Sequence, residues 1–153
     1  MDVKHINPFV ESFIKVIPQI GFNKINIGKV SAKSRELTYS GVIIVVGIVG
    51  EIKGNVVYYT NLESAKKIAS TMMMGMPIEE FDEMSKSALS ELTNMLTANA
   101  ATIFYNMGVQ IDISTPTLFH GENVSVKMSS SQVLCVELFA DDNPFEVNIS
   151  IEK

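Results

Sequence analysis

Gly41-Val-Ile-Ile-Val-Val-Gly-Ile-Val-Gly50 decides the fold. Every residue in it that is not glycine is β-branched. Ten residues are too few to cross a bilayer as a helix, since a helix needs roughly 20 to span the hydrocarbon core. A continuous run of Val and Ile is instead the pattern of a central strand buried on both faces. Glu51-Ile-Lys-Gly54 then turns the chain, and Asn55-Val-Val-Tyr-Tyr-Thr60 returns, so the two runs are expected to form a hairpin. Upstream, Ile25 to Val30 alternates weakly and reads as a strand. Glu36 to Tyr39 is either a second strand or part of a longer one.

Helical patterns flank this hairpin. Asn7-Pro8 is expected to start a helix, with Asn7 as N-cap, Phe9, Phe13, Val16 and Ile17 on one side, and Pro18 and Gly21 as the stop. Asn61 is expected to cap a second helix whose apolar side carries Leu62, Ala65, Ile68, Ala69 and Met72, closed by Gly75 and Pro77. A long helix follows from about Asp82 to Met107, with Gly108 as its stop. The last third reads as β: Val109 to Ser114, then Val124, Val126 and Met128 alternating with polar residues, then Val133 to Phe139. Finally Phe145, Val147, Ile149 and Ile151 alternate with Glu146, Asn148 and Ser150, a strand expected to bury one face. The expected fold is α+β, a largely antiparallel sheet with helices packed on one face, in a single domain covering residues 1–153.

Composition removes several functions. Of the 153 residues, 46% are apolar and 19% charged, the balance of a globular chain. The net charge of −5 opposes a sequence-independent nucleic-acid binder, and no Lys/Arg cluster points to acidic lipid. The N-terminus lacks the apolar core of a signal peptide, so a soluble cytoplasmic protein is expected. Cys135, the one cysteine, lies in Val133-Leu-Cys-Val136 and reads as a buried apolar residue. His5 and His120 have no partner at ligand spacing and read as surface residues. Met72, Met73, Met74 and Met76 read as core or interface packing before soft-metal ligation. Phosphate loops and nucleophile motifs are absent, and Asp141-Asp-Asn-Pro144 reads as a turn rather than a calcium loop. No metal site is expected.

The long helix holds the remaining candidate. At about 100° per residue, Leu89, Leu92, Leu96, Ala100, Ile103 and Met107 gather on one side. Ser87, Glu91, Asn94 and Ala98, spaced four, three and four apart, form one stripe on nearly the opposite side. A carboxylate and a carboxamide therefore sit one turn apart, pointing away from the core. Geometry alone leaves two readings open, a solvated face or a tool. The pair has no nucleophile or cation beside it in sequence, so a catalytic role needs the missing parts from a partner.

Several features occur in a recognisable order: Gly47-Ile-Val-Gly-Glu-Ile-Lys-Gly54, then Met72-Met-Met-Gly-Met76, then Phe81-Asp-Glu-Met leading into Ser87-Ala-Leu-Ser-Glu91-Leu-Thr-Asn94-Met, then Ile111-Asp-Ile-Ser-Thr-Pro116. In this set the chain resembles the CheC/CheX/FliY family of chemotaxis phosphatases, and within it the CheX type. The family signature of Ser or Asp, Glu four residues on, Asn three further and a later Pro matches Ser87, Glu91, Asn94 and Pro116.

The resemblance implies a CheC-like fold with an internal pseudo-two-fold repeat. It also implies an enzyme that removes the phosphoryl group from the aspartate of phosphorylated CheY or a related receiver domain. It makes Glu91 and Asn94 catalytic, with Ser87, Glu91, Asn94 and Ala98 meeting the partner. Asn94 would orient the attacking water, and Glu91 would pair with the receiver's active-site lysine. No cofactor is expected on this chain, because the Mg²⁺ belongs to the receiver. A homodimer is implied, with no nucleic acid and no membrane. The first helix carries Asn7, Glu11 and Ile14 at matching positions, so it is expected to hold no second site. Ala98 stands where the family commonly has Gly. The rival reading is a non-catalytic receiver-binding or scaffold module on the same fold.

Overall fold

The computed structural model describes residues 3–152. A short 3-10 turn, Val3–His5, runs into helix α1 (Asn7–Ile20), followed by strands β1 (Ile25–Lys33), β2 (Glu36–Gly50) and β3 (Lys53–Thr60). Helices α2 (Leu62–Met72) and α3 (Glu83–Asn106) come next, then β4 (Ile111–Ile113), β5 (Thr117–Lys127), β6 (Val133–Ala140) and β7 (Asn143–Glu152). The strands form one antiparallel sheet in the order β1-β6-β7-β3-β2-β4, with β5 also paired to β2.

The apolar run Gly41–Gly50 is the second part of β2, and Glu36 to Tyr39 is its first part. One side of β2 pairs with β3 along Val42–Ile48. The other side pairs with β5 along Glu36–Val45 and with β4 along Ile48–Gly50. The register with β5 slips between Tyr39 and Gly41, and such a bulge bends a strand. Gly41 takes φ +138°, and a Cβ there would stand 2.7 Å from the Thr60 carbonyl oxygen. From this bend the start of β2 and the end of β5 curl over the back of the sheet. Leu37 and Met128 are buried there with Ile43, Val57 and Val133, and the Tyr39 ring stacks on Tyr59 at 4.1 Å and 12°. The helices cover the front. Phe13 and Ile17 of α1, Ile68 of α2, and Leu89, Leu92, Leu96 and Phe104 of α3 pack on Ile44, Val46, Val56, Tyr58, Val136, Val147 and Ile149. That is why adjacent Ile43 and Ile44 are both buried, as a two-sided strand requires.

The differences from expectation have local causes. Asn7 is the first helical residue and caps nothing. The preceding 3-10 turn puts Ile6 at the cap position in helical geometry, and the Ile6 carbonyl accepts from the Phe9 and Val10 amides. Pro18 lies inside the last turn of α1, and Gly21 at φ +124° ends the helix. The strand expected from Val109 shortens to Ile111–Ile113. Strand β7 is buried on both faces: Asn148 and Ser150 lie under the curl and the 128–132 loop. Their polar groups are satisfied there. Asn148 donates to the Val57 carbonyl at 3.2 Å and accepts from Tyr39 at 3.3 Å, and Ser150 Oγ accepts from the Ser130 amide at 2.9 Å. Met107 ends up exposed because it is the C-cap of α3. Met74 and Met76 are also exposed, on a turn where Met74 takes φ +59°, so only Met72 of that cluster packs on the core.

Candidate functional site

Both ends of α3 are fixed by its own sequence. Asp82 is the N-cap, and Phe81 just before it turns its ring edge-on to His120 of β5, with centroids 5.2 Å apart. At the other end the Val109 amide reaches back to the Phe104 carbonyl at 2.8 Å, and Gly108 supplies φ +87°. The buried face carries Leu89, Leu92, Leu96, Ala100 and Phe104. It also carries three polar residues, Ser85, Thr93 and Thr97.

The opposite face carries the stripe. Ser87, Glu91 and Ala98 are exposed and Asn94 is half-buried. Glu91 and Asn94 stand one turn apart, and among the described residues nothing donates to, accepts from or ion-pairs with either side chain. Their donors and acceptors are therefore available to something outside the chain. Met84 at 63% exposure and Tyr105 at 67% extend the same face toward the two ends of α3. Sequence reading passed over them because a large apolar side chain on an amphipathic helix is assigned to the core by default.

The remaining signature position, Pro116, is half-buried in the connection between β4 and β5. Ser114 ties that connection to β2. Its amide donates to the Gly47 carbonyl at 3.0 Å, and its Oγ accepts from the Gly47 amide at 2.8 Å. A Cβ at Gly47 would lie 3.3 Å from that oxygen. On α1, Glu11 is exposed and so is Ile14, where α3 has its carboxamide.

Among the described residues, other reactive side chains do not assemble into a site. Cys135 is buried, and burial first, then the charge of Glu146, pushes its thiol up to about 12. His120 is exposed, whereas His5 is half-buried against Phe104, their rings 6.1 Å apart, rather than on the surface as expected. Among the described residues no three His, Cys, Asp or Glu side chains come close enough to hold a metal ion, and no helix is long and apolar enough to cross a membrane. Asp141 closes the β6–β7 turn and accepts from the Asn23 and Lys24 amides at 3.2 and 2.9 Å, a turn role as expected.

The architecture defines the class. The chain matches the crystal structure of a CheC-like superfamily protein from Shewanella sp. PV-4 with a TM-score of 0.88 and 26% identity over 100% of both chains. A CheX chemotaxis protein from Desulfovibrio desulfuricans, at 22% identity, shares the fold with a TM-score of 0.86 over 97% of this chain and 99% of that one. Within that class, residues 42–139 match the family described as chemotaxis phosphatase CheX, and the chain belongs to that family. It is 29% identical to the CheY-P phosphatase CheX of Thermotoga maritima over 99% of this chain and 98% of that protein. It also matches CheX in the CheX–CheY–BeF3–Mg²⁺ complex from Borrelia burgdorferi, at 28% identity and a TM-score of 0.84, over 97% of this chain and 98% of that one.

Proposed function

We propose that this CheX-family chain is a chemotaxis phosphatase that hydrolyses the aspartyl phosphate of a phosphorylated CheY-type receiver domain. The observation that carries the reading is a carboxylate and a carboxamide, exposed Glu91 and half-buried Asn94, one turn apart on the outer face of α3 and engaged by nothing else among the described residues. In the reaction the oxygen of a water attacks phosphorus and the bond to the aspartate oxygen breaks. The products are a free carboxylate and inorganic phosphate, and the water's proton passes to phosphate or solvent. Phosphoryl transfer of this kind is accelerated mostly by positioning and charge placement.

Asn94 supplies both a donor and an acceptor, so its carboxamide orients the water without serving as a base. Glu91, one turn away, grips a cation of the receiver and sets the register of α3 in the partner's site. The Mg²⁺ is the receiver's; when bound there it offsets charge on the phosphoryl oxygens. The resemblance further supports a homodimer and a cytoplasmic location, with residues 1–153 acting as one domain.

The test is to mix the protein with Mg²⁺ and the phosphorylated cognate receiver and follow loss of phosphate. Acceleration by the native chain and its loss in the Glu91→Ala, Asn94→Ala double variant are expected. Full activity in that variant overturns the site. Tight binding to the phosphorylated receiver with no acceleration by the native chain makes it a receiver-binding module instead.

A further inference from the structure

The rotation of α3 about its axis decides where Asn94 points, and the apolar contrast between the two faces of this helix is low. The buried side of the helix includes Ser85, Thr93 and Thr97, while the exposed side includes Met84, Ala98 and Tyr105. A helix patterned in this way lacks the sharp apolar edge that normally locks one face to a core. Directional contacts supply what the pattern lacks. Tyr58 Oη, on β3 in the interior of the sheet, lies 2.8 Å from Thr97 Oγ1. Thr97 Oγ1 donates its single proton to the Thr93 carbonyl at 2.7 Å, so the Tyr58 hydroxyl is the donor in the first bond. Separately, Thr93 Oγ1 donates back within α3, shared between the Ser90 and Leu89 carbonyls at 3.0 and 3.1 Å. From the side of α1, Ser12 Oγ donates to the Leu96 carbonyl. All four hydroxyl-bearing residues are buried.

Both outside contacts land on Leu96 and Thr97, within one turn after Asn94. We infer that Tyr58 and Thr97, assisted by Ser12, are positioning residues for the phosphatase reaction, holding the rotation of α3 at which the Asn94 carboxamide meets the attacking water. Side-chain ends on a helix ride about 5–6 Å from its axis, so a turn of only ~10° displaces them by about 1 Å. A misplacement of ~1 Å is enough to cost on the order of 10²-fold in rate. The hydroxyl of Tyr58 touches neither substrate nor water in this scheme; it acts through the helix.

The inference rests on the phosphatase reading, and the experiment separates the two. Single-turnover dephosphorylation of the phosphorylated receiver is measured at saturating protein for native chain, Thr97→Val, Thr97→Ser, Tyr58→Phe and Asn94→Ala. Affinity is read in parallel with the receiver carrying beryllofluoride and Mg²⁺, and folding by thermal melting. Thr97→Val keeps the side-chain shape but lacks the hydroxyl. It and Tyr58→Phe are expected to lower the rate tenfold or more while affinity changes less than threefold. Thr97→Ser, which restores the hydroxyl, is expected to stay within about twofold of native. If Thr97→Val does not fold, Tyr58→Phe carries the test. Native rates in folded Thr97→Val or Tyr58→Phe, or equal losses in Thr97→Ser and Thr97→Val, overturn the positioning role while leaving the phosphatase reading intact. Native rates in Asn94→Ala overturn the site and with it the positioning role, whereas no acceleration by the native chain overturns the phosphatase reading itself.

Discussion

Asp82 Oδ1 accepts two hydrogen bonds from Ser85, one from its amide at 2.9 Å and one from its hydroxyl at 2.8 Å. The amide bond first, and the hydroxyl bond second, hold the Asp82 carboxyl below its ordinary 3.8. A carboxyl depressed in the folded state stabilises fully above its unfolded pKa, and that contribution disappears as pH falls through the lower folded value. Asp82→Ala is therefore expected to lower the melting temperature near neutral pH. The gap from native should close on acidification below 3.8. Thermal melts across that range check it; a gap that persists unchanged into acid rules out the charged cap as its source.

Glu91 and Asn94 are expected to separate kinetically. Asn94→Ala should reduce the rate at saturation by tenfold or more, about 1.4 kcal/mol or above in the barrier, with affinity for the receiver little changed. Glu91→Ala should weaken binding of the receiver as well, since grip is the role proposed for it. Titration of the rate against protein concentration distinguishes the two, and identical losses in both parameters for both variants contradict the division of labour.

Ala98 is exposed on the stripe, and in the proposed complex its methyl faces the receiver. Removing it has two opposite effects. Glycine inside a helix costs ~1 kcal/mol relative to alanine. A closer approach of the partner's backbone favours binding. Ala98→Gly is expected to melt at a lower temperature and yet bind the beryllofluoride-loaded receiver more tightly. Weaker binding by a fully folded Ala98→Gly shows that the methyl is itself a contact.

Cys135 offers a test of the back of the sheet. Its thiol is pushed from 9.0 to about 12, chiefly by burial and then by the charge of Glu146, with Lys33 acting in the opposite direction. A thiol whose folded pKa lies above its unfolded one favours the fold below the unfolded value. That advantage is lost as pH rises from 9.0 through about 12. The native chain is expected to resist iodoacetamide at mildly alkaline pH and to react at the rate of global unfolding when denaturant is added. Rapid alkylation without denaturant means that the curl of β2 and β5 opens by itself.

The sequence carried the helices well because their punctuation is local. Asn61 caps α2 through a 2.8 Å bond to the Ser64 amide, Asp82 caps α3, and Gly108 ends it, all readable within four residues. The stripe on α3 was legible for the same reason. What was hidden depends on partners distant in the chain. Asn148 and Ser150 look like solvent-facing residues of an alternating strand, and nothing nearby in sequence announces that Tyr39 and Ser130 will cover them. Asn7 fails as a cap because three residues before it already turn. Thr93 and Thr97 read as neutral helix residues until Tyr58, 39 residues from Thr97, is brought against them.

Strand β7 lies between β6 and β3, in the interior of the sheet, although it is the last strand in sequence. Its pairing with β3 joins residues about a hundred positions apart, as does the pairing of β1 with β6. A nascent chain can shape its helices and the β2–β3 hairpin as they emerge, but the sheet stays divided until Asn143–Glu152 has left the ribosome. During that interval the edge of β3 that later pairs with β7 stays open, so the half-made chain carries an unpaired strand edge of the kind that invites aggregation.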